Sequence, residues 1–381
     1  MQITSLLASA LVSACAMPAV LRYAKKKRLY DSLGSRKIHS GLVPRLGGVG
    51  IFLAFLAGLL SGGKRLALVD ARHIWLLLGA SLIYAAGLVD DIRGMRARVK
   101  LGFQIAAAAL VVGGGFRFSS FLYAPDILSS YNPWLAALLT LAWIVGVANA
   151  INLIDGLDGL AGGISCIAAL AYALLYSLEG QWLPALVGFS IAGATVGFLF
   201  FNFPAPKAKL FMGDSGSLFL GFSLAVLPLL RTPDAPGSGG VGVLPAVLIL
   251  SIPIFDTLRA MYRRVKAKVS ITEPDRLHFH HLLFDSGIPP RGILKIAYSV
   301  TACLAILFLA ASRTPARLSL AILALGFVLA ASTFKYAESK QFRRRKSCPT
   351  PSSISSRQST APRKKPTRPP SASWRARPGS P

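Results

Sequence analysis

The chain has 381 residues, of which 53% are hydrophobic and only 15% charged, and its mean hydropathy is +0.55. A soluble domain carries roughly 25% charged residues, so this composition excludes an ordinary water-soluble globule. The net charge of +27 would suggest nucleic acid in a soluble protein. In a chain this apolar it reads as cationic loops on one side of a membrane plus a basic tail, and no nucleic-acid partner is expected.

Apolar runs recur at close to the ~20 residues that a helix needs to cross a bilayer. Eleven are expected, at about residues 3–23, 46–63, 73–90, 101–115, 133–151, 160–178, 182–201, 216–230, 240–260, 293–312 and 318–334. Hydrocarbon offers backbone groups no partner, so the spans must be helices or a closed barrel, and runs this long and continuous are not barrel strands. The expected fold is all-α, a polytopic bundle of about 11 transmembrane helices. Several runs are rich in Gly and Ala, as in LGGVGIFLAFLAGLLSGG at 46–63, which lets helices approach closely.

The first run is followed, not preceded, by Lys25, Lys26, Lys27 and Arg28, the wrong order for a cleaved signal peptide. It reads as a first span with its N-terminus outside. On that assignment only seven basic residues lie in outer loops, namely Lys64, Arg65, Arg72, Arg117, Arg231, Arg313 and Arg317, and 35 of 42 fall inside. An odd number of spans puts the C-terminus in the cytoplasm, beside a basic Pro- and Ser-rich tail. Residues 1–335 therefore form the membrane domain and 336–381 a disordered tail. The cysteines, Cys15, Cys166, Cys303 and Cys348, have neither metal-ligand spacing nor a paired arrangement.

Five of the fifteen acidic residues sit in three short motifs at the ends of apolar runs. A carboxylate beside hydrocarbon is costly unless it is solvated, paired or bound to a cation. The outer loops hold Asp70, Asp126, Glu179 and Asp234, without pattern. The inner loops hold every motif. The first, RKIHSGLVPRLGG, carries Arg36, Lys37, His39 and Arg45, which serve a lipid phosphate or simply anchor the loop. GLVDDIRG ends the third run with Asp90 and Asp91, and adjacent carboxylates repel unless a cation or a proton intervenes. Arg93, Arg96, Arg98 and Lys100 follow, a pattern suited to an anionic substrate near a divalent metal.

NAINLIDGLDGLAGG places Asn149 and Asn152 three residues apart on one helical face, and Asp155 and Asp158 repeat the spacing if the helix continues. FMGDSGS sets Asp214 between Gly213 and Ser215 at the start of a run, where the amides of Ser215, Gly216 and Ser217 make a natural phosphate site. Asp214 is a good ligand for a hard cation. The last inner loop holds Asp256, Arg259, Arg263, Arg264 and then TEPDRLHFHHLL, with Arg276, His278, His280 and His281. Zinc is the rival reading there, but the loop lacks a clear third and fourth ligand.

These segments, in this order, resemble the polyprenyl-phosphate N-acetylhexosamine-1-phosphate transferases, over roughly residues 1–335: RKIHSGLVPRLGG, GLVDDIRG with VKLGFQ, NAINLIDGLDGLAGG, FMGDSGSLFLG and PDRLHFHH. The HxHH form of the last loop resembles the branch that uses UDP-N-acetylglucosamine or a related amino sugar. It differs from the branch that transfers phospho-N-acetylmuramoyl-pentapeptide in peptidoglycan synthesis, the alternative within the family.

The resemblance implies a plasma-membrane enzyme with a cytoplasmic site, transferring a HexNAc-1-phosphate from UDP-HexNAc to undecaprenyl phosphate with Mg²⁺, or Mn²⁺ in its place, and leaves room for a homodimer. It implies Asp214 as the leading metal ligand with Asn152 as helper, and Asp90 or Asp91 to deprotonate or position the lipid phosphate. Lys100, Arg276 and His278 would hold the diphosphate and sugar, with Arg45 and Asn149 also on substrate. Asp155 and Asp158 would shape the nucleotide pocket and His280 and His281 its rim. A covalent route through Asp214 is the mechanistic rival. Outside the family, a transporter using intramembrane acids would place them at mid-span rather than at span ends.

Overall fold

The computed structural model describes residues 2–27, 29, 43–118, 132–203, 208–230, 242–270 and 277–347. Among the described residues the architecture is entirely helical. The α-helices are α1 (Gln2–Lys26), α2 (Gly47–Leu60), α3 (Ile74–Arg93), α4 (Ala97–Gly113), α5 (Pro133–Ile154), α6 (Leu160–Leu178), α7 (Trp182–Asn202), α8 (Gly213–Val226), α9 (Val243–Ile249), α10 (Ser251–Lys266), α11 (Phe279–Asp285), α12 (Pro290–Ala311) and α13 (Ala316–Ser347). Each expected apolar run falls on one of these helices or on the pair α9–α10. Eight helices are long and apolar enough to cross a membrane, or nine if the bent pair is one span. The helices α2 and α4 match the remaining two runs but are shorter, with 14 and 17 residues.

The α9–α10 pair bends by 91°. Ser251 at the break donates its hydroxyl to the carbonyls of Val247 and Leu248 (3.0 and 2.6 Å), serving backbone acceptors at the turn. Pro253 sits in the first turn of α10, where no amide proton is missed. Beyond the bend α10 is amphipathic, with Leu258, Tyr262 and Val265 exposed beside a basic last turn of Arg263, Arg264 and Lys266.

Helix α8 is the hub. With the turn that follows it, Gly213–Leu230 is 94% buried, against 22% for α1 at the periphery. It packs against α2, α3, α5 and α6. Inter-helix hydrogen bonds run to its carbonyls and those of the turn: Trp143 Nε1 donates to Ala225 O (2.9 Å) and the Tyr176 hydroxyl to Leu227 O (2.7 Å). In lipid such bonds and close van der Waals packing hold helices together, since the hydrophobic effect does not separate one apolar helix from its apolar surroundings.

The last helix runs to Ser347, past the boundary expected at 335. This extension has partners: Glu338 pairs with Arg259 on α10, and Gln341 Nε2 donates to Asp285 Oδ2 at 3.3 Å. A tail expected to be disordered from 336 is thus helical through 347, because these side chains reach polar groups on α10 and α11. The remaining tail, 348–381, lies outside the described residues.

Helices α3 and α8 approach closely. A Cβ on Gly87 would lie 2.6 Å from the Cα of Ser215, a backbone atom that cannot swing away. Gly87→Ala should therefore cost about 1–3 kcal/mol by overpacking and displace the start of α8. A lowered thermal midpoint in detergent checks this; an unchanged midpoint would show that the two helices are free to separate.

Candidate active site

The C-terminal end of α3, the first turn of α4, the loop between α5 and α6, and the N-terminus of α8 meet at one end of the bundle. The two adjacent aspartates of α3 do different work there. The Asp91 carboxylate is fully buried and accepts from the backbone amides of Asp214 (2.8 Å) and Ser215 (2.9 Å) and from the Ser215 hydroxyl (2.6 Å). It caps α8, and a carboxylate there also meets the positive end of the helix dipole. The amides expected to receive substrate phosphate are consequently held in part by the protein's own anion. Gly213 makes this possible: its φ is +74°, and a Cβ would lie 2.5 Å from Asp91 Oδ2.

Asp90 points elsewhere. Lys100 Nζ, one turn into α4, lies 2.7 Å from Asp90 Oδ2 and also pairs with Asp214 Oδ2. Arg45 completes the charge pattern, 3.7 Å from Asp214 Oδ1 and 3.8 Å from Asp91 Oδ1. A short backbone ladder holds Arg45 in place: Phe211 N donates to Pro44 O (2.8 Å), Gly47 N to Phe211 O (2.9 Å) and Gly48 N to Met212 O (2.9 Å). Three acids and two cations from four distant parts of the chain are thus gathered.

The α5–α6 loop departs from helical spacing. Helix α5 ends at Ile154, so Asp155 and Asp158 sit in the turn beyond it rather than on the face of Asn149 and Asn152. Two side chains hold this turn at Gly159. Gly159, at φ +80°, donates its amide to Asn202 Oδ1 (2.8 Å) and accepts the Tyr298 hydroxyl on its carbonyl (2.5 Å), while Asn202 Nδ2 donates to Leu210 O (3.0 Å). Burial first, then the carboxylates of Asp214, Asp158 and Asp91, hold the Asp155 carboxyl well above the usual range, with Arg45 acting the other way. Burial pushes the Asp158 carboxyl up to about 7.

A cavity of about 200 Å³ joins these parts. Its polar wall is Arg45, Asn152, Asp155, Asp158, Asn202 and Asp214, and its apolar wall includes Leu157, Phe211 and Met212. That volume suits a base or a diphosphate better than a whole nucleotide sugar. Asn149 is not on the wall. Its amide is shared with Gln104 on α4 (Nδ2 to Oε1 2.5 Å) and with Val145 O (2.9 Å), which makes it a tie between α4 and α5. The histidines approach from behind. The His280 ring packs against Gly156, buried, with no hydrogen-bond partner on either ring nitrogen. Burial, then His281 and His278, hold its pKa well below that of an ordinary imidazole, so it is neutral at pH 7. Arg276 lies outside the described residues, as do Arg36, Lys37 and His39.

Sequence reasoning missed Gln104, Asn202, Phe211, Tyr298 and the role of Asp256. Gln104 had a signal, four residues after Lys100 on the same helical face; the others had none, since their partners are far away in sequence. Among the described residues no three His, Cys, Asp or Glu side chains form a preassembled metal cage, which also leaves the zinc reading without support. Mg²⁺ needs no such cage, taking one or two carboxylates plus substrate and water oxygens. The residues fit that demand: Asp214 and Asn152 share the cavity wall, and Asn152, whose Nδ2 donates to Ser217 Oγ (2.8 Å), keeps its carbonyl oxygen as a hard donor.

The sequence model of glycosyl transferase family 4 matches residues 73–231. A Bacillus subtilis protein named "Probable undecaprenyl-phosphate N-acetylglucosaminyl 1-phosphate transferase" is 36% identical over 284 residues, 74% of this chain and 77% of the relative. A Mycobacterium leprae decaprenyl-phosphate N-acetylglucosaminephosphotransferase is 35% identical over 69% of this chain and 72% of its own length. An undecaprenyl-phosphate alpha-N-acetylglucosaminyl 1-phosphate transferase of Escherichia coli K12 is 28% identical over 74% of this chain and 77% of the relative.

Two outcomes are expected from this geometry. Asp91→Asn should lower thermal stability by about 1–3 kcal/mol, because a buried cap loses acceptors, whereas Asp90→Asn should spare the fold; equal melting temperatures would contradict the division. For Asp158, a folded-state pKa near 7 lies above the unfolded value of 3.8. The folded state then holds the extra proton between these values, and stability falls as pH rises from about 4 to about 7. Asp158→Asn should remove that slope in metal-free buffer, gaining thermal midpoint relative to wild type at pH 8 and not at pH 4.

Proposed function

The chain belongs to glycosyl transferase family 4, and on that premise we propose that it transfers N-acetylglucosamine-1-phosphate from UDP-N-acetylglucosamine to undecaprenyl phosphate, releasing UMP. The observation that carries the reading is the grouping of Asp90, Lys100, Asp214 and Arg45 beside Asn152 at one end of the bundle. It offers oxygen donors for a divalent cation and ammonium and guanidinium groups for a diphosphate. The names of the relatives supply the sugar and the lipid.

In this scheme a lipid phosphate oxygen attacks the β-phosphorus of UDP-GlcNAc, the bond to the oxygen bridging the two phosphates breaks, and UMP leaves. Asp90 is the residue of the pair able to accept a proton from, or position, the lipid phosphate, since Asp91 is committed to the cap of α8. Lys100 and Arg45 neutralise the diphosphate. Asp155 and Asp158, with Leu157 and Phe211 beside them, shape the pocket for the nucleotide, the aromatic ring offering a stacking face for the base. Asp214 and the Asn152 carbonyl would hold Mg²⁺, whose charge would help disperse the negative charge developing in the transfer. The cation bias of the loops supports a site at the cytoplasmic face of the plasma membrane.

The test is Mg²⁺-dependent UMP release from a panel of UDP-amino sugars, with undecaprenyl phosphate in detergent micelles. UDP-GlcNAc should be the preferred donor; no release with any of them would overturn the proposal in favour of a transporter. Asp214→Asn should lose about 10²–10³-fold in kcat, the scale of removing one preorganised electrostatic group, while still folding. Full activity in that variant would remove Asp214 from the metal site.

A further inference from the structure

One buried carboxylate in the last inner region is left unused by this scheme. Asp256, on α10, is 2% exposed, and both its oxygens have partners on the histidine segment. Oδ2 lies 2.9 Å from Nδ1 of His278, and Oδ1 accepts the backbone amide of Phe279 at 2.8 Å. The second bond caps α11, for which Phe279 is the first residue. The first bond sets the chemistry of the ring. An ionised carboxylate only accepts hydrogen bonds, so Nδ1 of His278 must carry the proton. Nε2 is then the ring atom left for any other partner.

The surroundings keep this pair rigid. Phe279 is fully buried and packs edge-on against Phe334 of α13, with ring centroids 5.3 Å apart. The Arg259 guanidinium, one turn beyond Asp256, stands 5.2 Å from the Phe334 ring centre and pairs with Glu338. The bent helix, the histidine helix and the last helix are thereby locked together. The His278 ring lies nearly parallel to that of His280, at 8° and 6.2 Å, and His280 in turn rests on Gly156 of the nucleotide-pocket loop. The carboxylate is thus connected through two stacked rings to the wall of the cavity.

We propose that Asp256 is a positioning residue for the transfer reaction, holding His278 in the Nδ1–H form so that Nε2 is the atom presented to the diphosphate of the donor. The assignment rests on the transferase reading above. A carboxylate that orients a histidine through its far nitrogen is a recurring arrangement, and loss of such an orienting partner costs roughly 10–100-fold in function.

The amide variant separates positioning from capping. In Asp256→Asn the remaining oxygen can still accept from Phe279, while the new NH₂ group donates to Nδ1 and moves the ring proton to Nε2. We expect kcat for UMP release to fall by roughly 10–100-fold, with KM for UDP-GlcNAc and the thermal midpoint little changed, and partial recovery in Asp256→Glu. Because Asp256 acts through His278, the same change in a His278→Asn background should cost nothing further. Undiminished kcat in Asp256→Asn would overturn the proposal, as would losses that multiply in the double variant, the mark of an independent structural role. If Asp256→Asn fails to fold, the Asp256→Glu variant alone and on the His278→Asn background decides by the same criterion. Wild-type protein that releases no UMP with any UDP-amino sugar would sink the transferase reading itself, an outcome distinct from an active wild type with an equally active variant.

Discussion

The bond between the Asp91 carboxylate and the first amides of α8 is the interaction on which the site depends. Helix α8 is the buried hub of the bundle, and its N-terminus would otherwise present unpaired amides and a positive dipole end at the edge of hydrocarbon. Asp91 reaches it from the end of α3, and it can do so only because Gly87 and Gly213 leave no Cβ in the way. This one cap fixes where α3 stops relative to α8. It therefore fixes how Asp90, on one side, and Asp214, on the other, face the ammonium of Lys100.

The acid pair shows how two identical neighbours acquire separate roles. Successive residues on a helix point about 100° apart, so only one of two adjacent aspartates can turn inward to α8. The inward one is consumed by backbone donors. The other stays in the charged cluster and is available for chemistry. The α5–α6 turn divides in a similar way: Asn149 looks back to Gln104 between helices, while Asn152, three residues on, faces the cavity with Asp155 and Asp158. Burial among like charges keeps Asp155 protonated more readily than a free carboxylate, a state that a cation or a substrate cation-binding step would reverse.

Behind the wall of this cavity stand the broken span and the last helix. The 91° bend at Leu250 carries Asp256 to the histidine segment, and the extension of α13 beyond residue 335 braces both elements through Glu338 and Gln341. The histidines are consequently not loose loop residues. They form a stack wedged behind Gly156, neutral at His280, with the ring of His278 oriented by a carboxylate.

Much of this protein was legible from residue order alone. Runs of apolar residues near bilayer length dictate helices, because hydrocarbon leaves the backbone no other partner. Carboxylates at the ends of such runs are too costly to be idle, which marked Asp90, Asp91, Asp155, Asp158 and Asp214 as candidates, and the structure brings them to one end of the bundle. What residue order does not carry is the direction of a side chain and the partner it meets. The division of Asp90 from Asp91, the tie between Asn149 and Gln104, the hold of Asn202 and Tyr298 on Gly159, and the bond from Asp256 to His278 all join groups between about 20 and 140 residues apart. Local periodicity specifies which face of a helix a residue occupies, but only the packing of helix on helix decides what lies opposite that face. The last helix makes the same point: its composition past residue 335 reads as a polar tail, and only the structure shows it continuing as a helix that meets α10 and α11.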